Sequence, residues 1–142
     1  MAKNILYIAD TGRIIGGGEI SLLNLLENLD KDRFRAVVCV PGEGDWTGRV
    51  RELGIPVHFF TYKKVMDPFN VAHTIRAVRA LCGIIMRENI DIVHTNSTGG
   101  VVVLAGIACS LMKRPLVSHI RLVYSGFLQD IVQGFLSTKI II

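Results

Sequence analysis

Short unbroken apolar runs alternate with longer amphipathic stretches along this chain. The runs Asn4–Ala9, Arg35–Val40, Pro56–Phe60, Ile90–His94, Pro115–His119 and Lys139–Ile142 favour β-branched and aromatic residues, with little polar alternation. That is the pattern of strands buried on both faces. Between them, Glu19–Asp30, Trp46–Leu53, Phe69–Asn89, Gly99–Met112 and Ser125–Leu136 carry apolar residues at helical spacing. In the third of these, Val71, Ile75, Val78, Cys82 and Ile85 share one face, with Arg76, Arg79 and Arg87 largely away from it. Gly54 reads as a helix C-cap and Pro41-Gly42 as a strand exit. Such alternation with short connections predicts a three-layer α/β/α sandwich: a parallel sheet, right-handed crossovers and helices on both faces.

Composition narrows the setting. The 142 residues make one domain with a proper core, half of them hydrophobic and a fifth charged. A mean hydropathy of +0.43 is high, and points to a doubly covered sheet or a surface meant for another domain. The net charge of +4 suits an anionic ligand or membrane surface, but its scattered lysines and arginines form no nucleic-acid arm. Cys39, Cys82 and Cys109 are odd in number and set in apolar stretches, as buried thiols are in a reducing compartment. Neither a disulfide framework nor a metal site is expected from that spacing. The chain opens directly into a strand with no signal-peptide core, and Val101–Met112 is too short to span a bilayer. The expected location is cytoplasmic, with peripheral contact at the inner face of a membrane left open.

The far end is unusual. Lys139-Ile140-Ile141-Ile142 has the pattern of a buried strand, and Phe127, Leu128, Ile131, Val132, Phe135 and Leu136 form an apolar stripe before it. Gln129, Asp130 and Gln133 on the polar side disfavour a membrane-lying helix. Both features want a partner surface, so the chain reads as the front half of a longer protein; self-association is the other way to cover them.

The candidate chemistry begins at Gly16-Gly17-Gly18-Glu19, between the first strand and a leucine-rich helix. Backbone N–H groups at such a junction lack helical partners and attract phosphate. A G-x-G-x-x-G spacing and an acidic residue closing the second strand are both missing, which argues against a dinucleotide. No G-x-x-x-x-G-K-[ST] or G-x-S-x-G sequence occurs, so a P-loop and a nucleophile elbow are excluded. The remaining polar residues cluster where strands end: Asp10, Thr11 and Arg13; His94 to Gly100; Ser118 to Arg121. Open α/β sheets bind ligands at that edge. His94 and His119 close strands there, whereas His58 and His73 read as structural or exposed.

Four segments in order resemble the N-terminal domain of a GT-B-fold glycosyltransferase of family 4. They are Gly16-Gly17-Gly18-Glu19 with Ser21-Leu22-Leu23-Asn24-Leu25, Arg51 to Val57, Asp91-Ile92-Val93-His94-Thr95-Asn96, and Pro115-Leu116-Val117-Ser118-His119. The resemblance covers nearly the whole chain and implies a Rossmann-like sheet, the N-terminal half of a GT-B fold. It implies that Gly16, Gly17 and Gly18 approach the donor's phosphates and that His119 lies near donor sugar and acceptor as the catalytic-site histidine. His94, Asn96 and Arg121 are then substrate-binding candidates, with Asn96 departing from the family's second histidine. Tyr62-Lys63-Lys64 and Tyr124 are less specific acceptor contacts.

The implied activity is that of a retaining hexosyltransferase, moving sugar from a nucleotide-sugar to a glycan or lipid-linked acceptor. It needs no metal and no cofactor beyond the donor substrate. The family's C-terminal donor-binding domain has no counterpart in residues 1–142, so the isolated chain is expected to be inactive. The alternative is a free-standing α/β module that binds a phosphate-bearing small molecule.

Overall fold

Apolar runs too short for helices pair edge to edge, and in this protein they do so in parallel. The computed structural model describes residues 2–61, 71–97, 99–119, 134 and 137–141. Six strands form one sheet: β1 (Lys3–Ile8), β2 (Phe34–Val40), β3 (Val57–Phe59), β4 (Ile92–Thr95), β5 (Leu116–His119) and β6 (Lys139–Ile141). Their spatial order is β3-β2-β1-β4-β5-β6. The helices are α1 (Gly17–Glu27), α2 (Asp45–Glu52), α3 (Val71–Arg87) and α4 (Gly100–Met112). The expected parallel α/β sandwich is what the chain adopts.

Alternate strand residues divide the core into two layers. Leu6, Ile8, Val37, Cys39, Val93 and Leu116 pack with α3 and α4. Tyr7, Ala9, Val38 and Val40 pack with α1, α2 and the fully buried Trp46. The chain therefore winds outward through β2 and β3 under α1 and α2, then returns by α3 to β4 on the other side of β1. Crossovers of one hand put the two helix pairs on opposite faces. The isoleucine-rich end finds a partner, since β6 pairs with β5 through His119 and Ile141. Gly54 takes the left-handed conformation (φ +75°) and donates to the Arg51 carbonyl, which ends α2 as expected.

The stripe that Val71 and Ile75 share with Val78 and Ile85 is covered only along its later turns: Val71 and Ile75 are 56% and 54% exposed, while Ala77, Val78, Leu81, Ile84 and Ile85 are buried. Seventeen helical residues rise about 25 Å, whereas the six of β1 span only about 20 Å. The exposed residues are those of the first turns of α3, and the buried ones lie further along the helix. The expected helix Ser125–Leu136 lies outside the described residues apart from Gly134, as do Tyr62-Lys63-Lys64, Arg121 and Tyr124.

Candidate functional site

β1 and β4 are neighbours, yet the chain leaves them for opposite faces, into α1 and α4 respectively. Such a switch in strand order opens a crevice at the carboxyl ends of the two strands. Two hydrogen bonds cross it. The Ser97 hydroxyl donates to Asp10 Oδ1 at 2.5 Å, and Asn96 Nδ2 donates to the Gly18 carbonyl at 3.2 Å. The loop after β1 is thereby tied to the exit of β4.

Both helices that leave the crevice begin at glycine. Gly16 is the N-cap of α1, and Gly99, with φ +72°, is the N-cap of α4. The Gly16 N–H donates to Glu19 Oε2 at 2.9 Å, so a carboxylate already answers one of the helix's free donors. A side chain at Gly17 would meet nothing within 4 Å, and one at Gly16 only Glu19 Oε2 at 4.0 Å. Packing among the described residues does not require either glycine to be bare. Among the described residues, the space beside both is open.

Two other glycines are required by packing. A Cβ on Gly12 would stand 2.1 Å from the Gly42 carbonyl oxygen, and one on Gly44 would stand 2.3 Å from the Gly12 oxygen. The loops after β1 and β2 thus press backbone against backbone. Around that contact Thr47 N–H donates to the Gly12 oxygen, Asp45 accepts from Ile14 N–H, and Trp46 Nε1 donates to the Glu19 carbonyl at 2.9 Å. Sequence reasoning missed this pair. The available clue was their matched offset, each glycine standing four residues beyond the last residue of its strand.

The structure brings His94 and His119 together. Their rings lie 5.9 Å apart and near perpendicular at 75°, with Tyr7 5.2 Å from His94 on the other side. His94 is buried and His119 half-buried, so His94 is the packed member and His119 the more accessible. On the opposite face, Thr95, Ser118 and Ser137 form a chain of hydroxyl contacts that links β4 and β5 to the segment before β6. His58 is structural: it contacts Glu88 Oε1 at 2.8 Å, and Glu88 also accepts from Arg35 at 2.6 Å. The Arg35 guanidinium, and then His58, hold the Glu88 carboxyl below its usual range.

The electrostatics single out Asp10. Partial withdrawal from water pushes its carboxyl up; the Ser97 hydrogen bond opposes that rise and the nearby Glu19 charge adds to it. The Cys39 and Cys109 thiols are pushed up to about 12, chiefly by burial, which makes them inert at neutral pH. Among the described residues, no group of three His, Cys, Asp or Glu side chains is placed to hold a metal. No described helix is long and apolar enough to cross a membrane.

The sequence profile of Glycosyltransferase Family 4 matches residues 15–137, from the loop after β1 to the approach to β6. The chain belongs to glycosyltransferase family 4. Its fold is shared with MurG of Acinetobacter baumannii at 15% identity and a TM-score of 0.74, covering 97% of this chain and 40% of that one. Anabaena Alr3699/HepE in complex with UDP-glucose matches at 22% identity and TM-score 0.72, over 96% of this chain and 36% of that one. The UDP-GlcNAc 2-epimerase of Neisseria meningitidis, bound to UDP-GlcNAc, matches at 15% and 0.65, over 96% of this chain and 39% of the other. At these identities the likeness is one of fold. The family 4 chain spans about two fifths of the length of these structures. No curated protein sequence matches it.

Proposed function

We propose that this chain is the N-terminal, acceptor-side domain of a retaining, metal-independent hexosyltransferase that uses a nucleotide-sugar donor and a glycan or lipid-linked acceptor. The observation that carries this reading is the bare backbone at Gly16 and Gly17, open to the outside and braced across the crevice through Gly18 and Asn96. Backbone donors fixed in that way stabilise charge developing on a departing nucleoside diphosphate. Because Glu19 occupies the Gly16 N–H, the Gly17 and Gly18 N–H groups are the ones left for phosphate. His119 then positions the substrate or polarises a hydroxyl, with His94 buttressing its ring edge to face. Arg121 is a candidate for the acceptor side. The nucleotide and sugar are held by a second domain beyond residue 142.

The same fold hosts an epimerase, so fold alone does not choose the reaction. Family membership favours transfer. The test uses the chain extended by its downstream coding sequence, assayed for sugar transfer. Gly17→Asp puts a carboxylate where the diphosphate would sit, at a position with free space and at a helix start that favours acidic residues. Loss of about a hundredfold or more in kcat/KM, with an unchanged urea midpoint, is the expected result. Undiminished transfer by that variant removes the loop from the mechanism. Turnover by the 142-residue chain itself overturns the division of labour between domains, and nucleotide binding without transfer by the extended protein favours the binding-module reading.

A further inference from the structure

Asp10 does not suit a phosphate site. It follows β1 directly, and its carboxylate stands at the crevice between the glycine loop and the exit of β4. A carboxylate beside a diphosphate is repulsive, and Glu19 already places a second negative charge close by. The charge is also held against its environment, because part of its hydration is lost. Groups kept in an unfavourable state at the mouth of a cleft are candidates for contact with a ligand. Ser97 fixes Oδ1 at 2.5 Å, which orients the carboxylate, and the residue stays open to solvent. An ionised carboxylate only accepts hydrogen bonds, so its complement is a donor without negative charge. A ligand that meets both Asp10 and the glycine loop is anionic at one end and carries a neutral donor such as a hydroxyl at the other.

We infer that Asp10 is a specificity-determining residue that accepts a hydrogen bond from a sugar hydroxyl, with Ser97 as its positioning partner. The inference rests on reading the crevice as a sugar-transfer site. The hydroxyl can belong to the donor's sugar or to the acceptor; the chemistry at Asp10 is the same.

The test follows backbone amide shifts of the isotope-labelled chain with three probes: methyl glucoside, UDP and UDP-glucose. Methyl glucoside alone shifts the Asp10 and Ser97 amides, and Asp10→Ala weakens that response about tenfold, the worth of one charge-assisted hydrogen bond. Asp10→Asn keeps an acceptor oxygen but no charge, so its response is weaker and independent of pH. In the unsubstituted protein the response is present while Asp10 is ionised and fades as pH falls through its raised value. Among the described residues, the charged group that acts on Asp10 is Glu19 of α1, and Glu19→Gln leaves this fading in place. A purely structural Asp10 predicts a lower urea midpoint for Asp10→Asn; the inference predicts a higher one at neutral pH.

If UDP-glucose shifts Asp10 as well as the glycine amides, the hydroxyl is the donor's. If it shifts only the glycines while methyl glucoside shifts Asp10, the hydroxyl is the acceptor's. Equal sugar responses in Asp10→Ala and the unsubstituted protein overturn the inference, as does no sugar response in either. Failure of UDP to shift Gly16 to Gly18, with the sugar response intact, overturns the phosphate reading and leaves Asp10 standing.

Discussion

Two kinds of glycine sit within a few residues of each other, and a single methyl group tells them apart. At Gly12 the added carbon has to displace the Gly42 carbonyl, which belongs to backbone and cannot rotate away. Gly12→Ala is expected to lower stability by about 2–4 kcal/mol, as overpacking against fixed atoms does. Gly17→Ala meets open space and is expected to stay within about 0.5 kcal/mol of the unsubstituted protein. Urea unfolding of the two variants side by side measures both. Glu88 supplies a pH signature at the same scale. Its carboxyl is held low by Arg35 and His58, so the stability it contributes is complete above about pH 4.3, the unfolded value. That contribution disappears as pH falls through the lower folded value. Glu88→Gln should therefore lower the urea midpoint at neutral pH and converge with the unsubstituted protein at strongly acidic pH.

At the level of elements, α4 ends with strain that can be relieved. Lys113 adopts the left-handed conformation at φ +52° so that the Arg114 N–H reaches the Cys109 carbonyl at 2.9 Å. Glycine pays no steric penalty there, and Lys113→Gly should raise stability by about 0.5–1 kcal/mol in urea unfolding. The strands were legible in sequence because a strand buried on both faces is apolar throughout, as Val37 to Val40 show. The helices were legible in position but not wholly in orientation. Periodicity reports which residues share a face, and Val71 does share one with Val78, but it cannot report how far along the helix that face is covered. That is why Val71 and Ile75 share the stripe of Val78 and are nevertheless exposed.

For the whole molecule, what matters is which strands become neighbours. Adjacency of β1 and β4 brings Asp10 to Ser97 and Gly18 to Asn96 across nearly eighty residues of chain or more. The glycine run, His94, Asn96 and His119 could be assigned to one edge from sequence, because each follows or closes a strand. Their pairings could not, since strand order is not written in spacing. The Gly12–Gly44 contact was hidden for the same reason, as it exists only because β1 lies beside β2. The expected inactivity of the isolated chain also belongs to this scale. Under the proposed division between two domains, this chain supplies one wall of the crevice.

Trp46 is the only tryptophan in the chain, it is fully buried, and its indole N–H is bonded to the Glu19 carbonyl in the first turn of α1. Its emission therefore carries an optical report from one known point, directly behind the glycine loop. A ligand that draws this turn forward must stretch that bond and shift the fluorescence. Occupancy of the crevice can be followed in unlabelled protein by the light of one residue that never touches the ligand.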